Sequence, residues 1–482
     1  MLIIAYPRDD SFLRRASFAY QPDRRLAALD QVLEDPRLLL RVSLDLMKSA
    51  PHAWETGHPS VPAEVTLRTA VVRRLQGWDY RDTQSEIAGS VKWRWFCRVY
   101  DHPVPHFTTL REREALIRAG TLHELNDLTV QQAQTRGVTR GEKMRGDSSV
   151  VETHIHYPTD SRLFADGVRV LGRTLARARS VVDGRTLRWR QSLFRDHTRQ
   201  ARRLARRIAL EARRRSRKKG PNAEKTGIKD YRCLLRVTQV TWDHAQEVGP
   251  LLMKVGSLRA LALATTLEHF SDLVHRVLRQ TFRRVVEEQA VPAAEKVVSL
   301  FEPHTAIICR GKAAPHDTEF GRRVWYSEVD GGLISQYRIQ SGNPPDNQDQ
   351  WKDSVLHHRK LFGHPPKTAT GDRGVYSPEN ERLAQQAGVE EVALPKPGAK
   401  TPEREAYEAQ PWFKAALRFR AGIEGRISVL RGPRGLRRCL NRGEAGMERW
   451  VGWGVITNNL VIIAMALTRP CRRRKTASAR TE

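Results

Sequence analysis

Three carboxylates in this chain stand where a metal-dependent phosphoryl-transfer centre would need them. Asp147 lies in GDSSVVETHIHYPTDSRLFADGVRVLGR, Asp372 in TATGDRGVYSPENERLAQQAG and Glu424 in RFRAGIEGRISVLRGPRGLRR. Carboxylate oxygens are hard donors that suit Mg²⁺ or Mn²⁺ rather than zinc. If the three converge, they can hold two ions ~3.5–4 Å apart, a spacing that activates a water or a 3′-hydroxyl and stabilises the leaving oxygen at a scissile phosphate. Arginines nearby would balance charge and hold phosphate oxygens. Arg373 directly follows Asp372, and Arg420, four residues before Glu424, shares its helix face. Any one of these carboxylates alone is more often a surface ion-pair partner or a cap. Their order in a basic chain singles them out: an aspartate on a strand, an aspartate at a strand end, a glutamate on a helix.

The elements that must position them are legible from periodicity. MRGDSSVVETHI alternates and is rich in Val and Thr, which predicts a strand carrying Asp147 at its middle. An ionised carboxylate there is costly unless paired or bound to metal. YPTDS at 157–161 is a turn, and a helix follows to about residue 180. HTAIICRGK, VWYSEVDG and LISQYRIQSG read as strands with Asp-Gly and Ser-Gly turns. WKDSVLHHRKLFG is a short helix, PKTATGD a strand ending at Asp372, SPENERLAQQAG a capped helix and VEEVALPKPG another strand. Alternating strands and helices predict an α/β sheet, whose ligands collect at the carboxyl ends of strands. From residue 410 onward the pattern is helical.

The rest of the chain points to a polyanionic partner. Its 482 residues carry 83 Lys plus Arg against 54 Asp plus Glu, a net charge of +29. Such an excess does nothing for a fold but attracts nucleic acid through steering and counterion release. Residues 60–120 read as three short helices with Trp93, Trp95 and basic residues between them. The second starts at Ser85, the third is capped by Thr108 or Thr109, and the set suggests helix-turn-helix recognition of DNA. Residues 185–220 form a basic helical block with an apolar stripe of Leu193, Leu204, Ile208 and Ala212. KKGPNAEKTG breaks it, and heptad-like spacing resumes over 228–302. Arg202, Arg203, Arg206 and Arg207 are its candidate contacts to a DNA backbone, where arginine positions without reading sequence; a solvated structural hairpin is the alternative.

Other features carry less. The five cysteines show no zinc-ligand spacing and fit free thiols in a reducing cytoplasm. MLIIAYPRDDSFLRR does not read as a signal peptide. VGWGVITNNLVIIAMAL falls short of the ~20 residues a membrane span needs and holds Asn458 and Asn459, so a buried helix whose asparagines fix packing beside the site is expected. His154 and His156 share a strand face but lack further partners for zinc. His357 and His358 read as a helix surface pair, and Asp160 as a turn residue.

These blocks together resemble a DDE transposase of bacterial insertion sequences, of the ISNCY type or a closely related one. GDSSVVETHIHYPTDSRLFADGVRVLGR is similar to the first-aspartate block with its YPTDS and DGVR continuation, and ATGDRGVYSPEN to the second. FRAGIEGRISVLRGPRGLRR followed by GWGVITNNLVIIA is similar to the glutamate block and its trailing helix. RGKAAPHDTEFGRRVWYSEVDGGLISQYRI, with Lys312, resembles the strands before the second aspartate. The resemblance implies a ribonuclease H-like catalytic domain with Asp147, Asp372 and Glu424 as the metal-binding triad and a pair of Mg²⁺ or Mn²⁺ ions as cofactors. It implies phosphate contacts from Arg420, Arg431, Arg373 and Lys312. The related YREK signature places its arginine at Arg420, its lysine where this chain has Arg431, and its tyrosine where this chain has Leu417, which puts a phosphate or base contact in doubt.

The expected organisation is an N-terminal extension over 1–58 and an all-α DNA-binding domain over 59–135. A ribonuclease H-like α/β domain follows over 136–470, interrupted by a helical insertion at 175–305, and a basic disordered tail covers 471–482. The expected activity is recognition of terminal inverted repeats, then cleavage and transfer of DNA strands. The expected partners are double-stranded DNA, both element ends and target, and further copies of the chain in a synaptic complex, with no membrane, in the bacterial cytoplasm at the nucleoid. Two alternatives stand beside this: a ribonuclease H-like nuclease that does not join strands, and an inactive or domesticated DNA-binding protein.

Overall fold

The computed structural model describes residues 2–15, 21–48, 60–182, 190–217, 228–309, 318–346 and 349–469. Lys312, the KKGPNAEKTG break and the tail at 471–482 lie outside the described residues. After a single turn at Phe12–Arg15 come α1 (Arg24–Leu33), α2 (Pro36–Lys48), α3 (Ala63–Gln76), α4 (Tyr80–Gly89), α5 (Val91–Phe96), α6 (Phe107–Ala115) and α7 (Ala119–Thr135). Then follow β1 (Lys143–Thr153), α8 (Asp160–Ala178), α9 (Thr198–Arg217), α10 (Ile228–Val255), α11 (Leu258–Val285), β2 (Ala306–Cys309), β3 (Thr318–Val329) and β4 (Ile334–Ile339). The chain continues through α12 (Asp349–Phe362), β5 (Thr368–Thr370), α13 (Pro378–Gln386), β6 (Glu391–Ala393), α14 (Pro402–Ala409), α15 (Pro411–Arg431), β7 (Arg438–Cys439) and α16 (Glu444–Thr468). By contact it divides into two compact units, Met1–Glu152 with Arg323–Glu482, and Thr153–Arg322.

In the first unit, β3 neighbours β1, β1 pairs parallel with β5, and β5 pairs parallel with β6; β4 lies antiparallel on β3, and β7 pairs with β1. Alternation along the strands separates two faces. Met144 and Trp325 enter a core with Trp351, Val355, Ala369 and Val392, while Val151, Val324 and Tyr326 enter one with Leu430, Leu436, Trp450 and Val455. The second face therefore receives α15 and α16, and on β1 it holds Arg145, Asp147 and Ser149.

Four helices, α3 to α6, lie within 60–120, where the sequence suggested three, and two of the expected starts move. α4 opens at Asp79 rather than Ser85, because the Asp79 carboxylate accepts from the amides of Arg81 and Asp82. α6 opens at His106 rather than Thr108 or Thr109; the His106 ring accepts the Thr108 amide. Trp93 is core, edge-on to Trp78 and Phe96, and α3 buries even its arginines, Arg68 on Asp30 at 2.6 Å and Arg73 on Glu114 at 2.5 Å.

α16 is apolar on every side and packs against α1, α3 and α7. At 25 residues it is long and apolar enough to cross a membrane by length and composition, and most of it is buried inside this unit. Its Asn459 carboxamide oxygen accepts the Ile334 amide at 2.9 Å, and its nitrogen donates to Ile334 O at 2.8 Å and Asn126 Oδ1 at 3.0 Å, clamping the start of β4 to α7 and α16. His357 and His358 are not a surface pair: His357 meets Asp127 at 3.0 Å, and His358 is buried with Nε2 2.9 Å from Gly141 O.

The second unit is a helical bundle, with α8, α9, α10 and α11 around Leu163, Leu171, Leu204, Leu234, Leu267 and Val277, and β2 paired antiparallel with the first residues of β3. α9 buries Ala201, Leu204, Ala205 and Ile208 at helical spacing and turns Arg202, Arg203, Arg206 and Arg207 outward. Ala212, expected on the apolar stripe, is exposed, and Leu193 sits in a separate 3₁₀ turn.

Candidate active site

The register of the parallel strands brings the two aspartates level. Arg145 pairs with Thr370, so Asp147 and Asp372 each lie two residues beyond a matched position. Asp147 is still within β1, whereas β5 has ended and the chain turns, the Val375 amide donating to Asp372 Oδ1 at 3.1 Å. The Asp147 side chain is 15 % exposed. Burial, then the negative charge of Asp372, pushes its carboxyl up to about 6, against the opposing pull of Arg420 and of the Ser148 amide, which donates to Oδ1 at 2.7 Å.

α15 presents its residues to β1 in step with the strand's alternation. Arg145 meets Phe419, Asp147 meets Arg420, and Ser149 meets Arg431 with Oγ 3.4 Å from Nη1. The Arg420 guanidinium is 3.2 Å from Asp147 Oδ2 through Nη2 and 3.7 Å from Glu424 Oε1 through Nη1. Glu424 itself is 72 % exposed. Asp147 and Asp372 are thus brought together, and Arg420 links Asp147 to Glu424. Among the described residues, no group of three His, Cys, Asp or Glu could hold one metal ion, so the expected three-carboxylate convergence is not formed. The reason is geometric: the guanidinium of Arg420 lies between the glutamate and Asp147.

The remaining expected residues fall as follows. Arg373 is exposed beside Asp372. Leu417, at the tyrosine position, packs against Ala393, Phe413 and Ala416. Arg207 is committed to Asp230 at 2.9 Å, while Arg202, Arg203 and Arg206 stay on the outer face of α9. His154 and His156 are exposed, and Asp160 opens α8 and pairs with Arg284 at 2.5 Å.

Sequence reasoning missed a second charged layer beneath the site. Arg145 grips buried Glu328 with Nε at 2.9 Å from Oε2 and Nη2 at 2.7 Å from Oε1. On the opposite face, Ser148 Oγ donates to Asp346 Oδ2 at 3.1 Å, which Arg323 also holds at 2.6 Å. Strand alternation carried a signal for the first pair: Arg145 and Asp147 are two apart, and Glu328 interrupts an apolar strand.

The aspartates fit a divalent cation. They are oxygen donors, and burial followed by the charge of Asp372 raises the Asp147 carboxyl, a cost that a cation would relieve. Two cavities of the second unit, about 380 and 860 Å³, include none of the three carboxylates. Glu424 and Arg373 are exposed, whereas Asp147 is largely buried.

Residues 16–114 match the family model described as a transposase domain (DUF772). The matched stretch takes in α1 to α6, of which α1 to α5 share one apolar core, and it supports a transposase family. No curated protein matches the chain, and no solved structure does.

Proposed function

We propose that the chain is a DDE transposase with a ribonuclease H-like catalytic domain, which binds the terminal inverted repeats of its insertion sequence and cleaves and transfers DNA strands. The observation that carries this reading is the level placement of Asp147 within β1 and Asp372 just past the end of β5, with Arg420 between Asp147 and Glu424, in a chain whose N-terminal helices match a transposase domain. Asp147 and Asp372 would hold Mg²⁺ or Mn²⁺, in the proposal two ions. When bound, the metal would supply positive charge at the scissile phosphate and favour deprotonation of the attacking hydroxyl.

The chain's own groups do the rest. Asp147 binds as the ionised carboxylate, against the burial and the Asp372 charge that push its carboxyl up to about 6. Arg420 turns from Asp147 to a phosphate oxygen, which releases Asp147 and frees Glu424 to complete the oxygen set. Arg431 and Arg373 contact flanking phosphates. Lys312 is assigned the same role by resemblance alone. The arginines of α9 hold the DNA backbone, further copies of the chain assemble on paired ends, and the setting is the bacterial nucleoid, away from membranes.

A non-enzymatic DNA-binding protein is the second reading, favoured by the separation of Glu424 from the aspartates. Incubating the full chain and its Glu424→Gln variant with duplexes cut from DNA flanking the coding sequence, with Mn²⁺ or Mg²⁺, separates them. Joined products that vanish in the variant support the transposase. Cleavage without joining favours a nuclease, and binding without cleavage in both proteins sinks the enzyme.

A further inference from the structure

Beneath the aspartates, Glu328 collects two arginines, and each arginine stands two residues from a site carboxylate. Arg145 is two before Asp147 on β1, and Arg426 is two after Glu424 on α15. Glu328 is fully buried. It receives Arg145 in fork geometry at 2.7 and 2.9 Å and the Arg426 Nε at 3.5 Å on Oε1. The third arm of Arg145 donates through Nη1 to the Phe419 carbonyl, inside α15, and its guanidinium lies 4.4 Å from the centre of the Phe419 ring. One side chain of β1 therefore holds the turn of the helix that carries Arg420.

The backbone is shaped around this contact. A Cβ at Gly422 would stand 2.5 Å from Arg145 Nη1, so a larger residue there would push the Arg145 guanidinium from its place. Gly332 has φ +83°, and a Cβ there would overlap the Arg426 guanidinium. The β3–β4 register shifts between Ser327 and Glu328, an irregularity of the kind that re-aims a side chain next to a site. Two close approaches, a register shift and an Arg–Glu–Arg set around buried Glu328 converge on one place, whereas packing α15 on the sheet would need only its apolar residues Phe413, Ala416, Ile423 and Leu430.

We propose that Arg145, Glu328 and Arg426 are positioning residues that set the height and rotation of α15 against β1, and so hold Arg420 and Glu424 in reach of Asp147. This rests on the phosphoryl-transfer reading above. None of the three touches DNA or metal in the proposal; they act through the residues two positions away.

The test uses the full chain, with free Mn²⁺ followed by electron paramagnetic resonance as the binding probe and single-turnover cleavage of the flanking duplex as the second readout. Glu328→Gln strands buried Arg145 and can fail to fold, so the deciding variants are Arg426→Met and Arg426→Lys, at the more exposed edge of the set. Arg426→Met is expected to weaken Mn²⁺ binding and slow cleavage by about tenfold or more, as displacing a site by a fraction of an ångström does. Duplex affinity and melting temperature should stay at wild-type values, and Arg426→Lys should recover most of the loss. Unchanged Mn²⁺ titration and cleavage in Arg426→Met, or a loss that follows melting temperature alone, would overturn the assignment. The two readings fail separately. Mn²⁺ binding lost in Asp147→Asn but untouched in Arg426→Met removes the positioning set and leaves the transposase. Mn²⁺ binding weakened by Arg426→Met in a protein that never cleaves removes the transposase and leaves the positioning set.

Discussion

At the scale of single residues, Asp147 is the group under most tension. Its folded carboxyl sits at about 6, against an ordinary 3.8, because burial and Asp372 both oppose its charge. The native state thus holds a proton that the unfolded chain releases. The stability this group lends is full below the ordinary carboxylate range and is lost as pH rises from about 4 through about 6. Asp147→Asn should flatten that fall and stabilise the metal-free protein at pH 7.5 by about 2 kcal/mol, less than the full linkage value because Arg420 loses a partner. Urea midpoints at pH 4.5 and 7.5 check it; equal pH dependence in the two proteins would mean that Asp147 ionises normally. The same proton competes with metal, so Mn²⁺ affinity should fall by about tenfold per pH unit below 6. Arg420 is the counterpart. Arg420→Ala removes the cation paired with Asp147, so it should push the Asp147 titration higher still, read as a cleavage profile shifted to higher pH, while Arg420→Lys shifts it less.

At the scale of elements, what could be read from the sequence divides by the range of the interaction responsible. The strand holding Asp147, the strand stop before Asp372 and the helix holding Glu424 were all legible, because alternation, a Gly-Asp turn and an i to i+4 Arg–Glu spacing are local signals. The start of α4 was misread because one capping carboxylate, Asp79, outweighs an apparent start at Ser85. The pair Arg145 and Glu328 is remote in sequence and joined only by strand order, which no local pattern encodes. Nor could spacing tell that Arg420 would stand between Glu424 and Asp147. Asn459 marks the same limit: its place in an apolar helix was visible, its partner Ile334 was not. Its carboxamide makes three bonds that join β4, α7 and α16, so Asn459→Leu should leave the Ile334 backbone groups and Asn126 unmatched and cost about 2–4 kcal/mol. Urea denaturation measures that loss, and a loss below about 0.5 kcal/mol would mean that water replaces the carboxamide.

At the scale of the whole molecule, the net charge of +29 is a statement about partners, and the structure distributes it unevenly in role. Some arginines are used up inside the protein. Arg68, Arg73, Arg98 and Arg145 are buried on carboxylates, and charge so paired cannot meet a phosphate. Others face outward with apolar residues of α9 beneath them, as Arg202, Arg203 and Arg206 do. Arg207, one position on, resembles them in sequence but is held by the buried carboxylate of Asp230. These two kinds should separate in the salt dependence of DNA binding. Each neutralised phosphate contributes about 0.9 to the slope of log affinity against log salt. The triple variant Arg202→Gln, Arg203→Gln, Arg206→Gln should therefore lower the slope by about 2 to 3 and weaken binding to every duplex alike, with folding unchanged. Arg207→Gln should leave the slope nearly alone and instead lower the melting temperature, because Asp230 loses its partner in the bundle. Fluorescence anisotropy of one duplex across a salt series reads both. An unchanged slope in the triple variant would move the DNA path off α9 and make this helix a solvated face of the bundle, whereas a sequence-dependent loss would mean that its arginines read base edges rather than backbone.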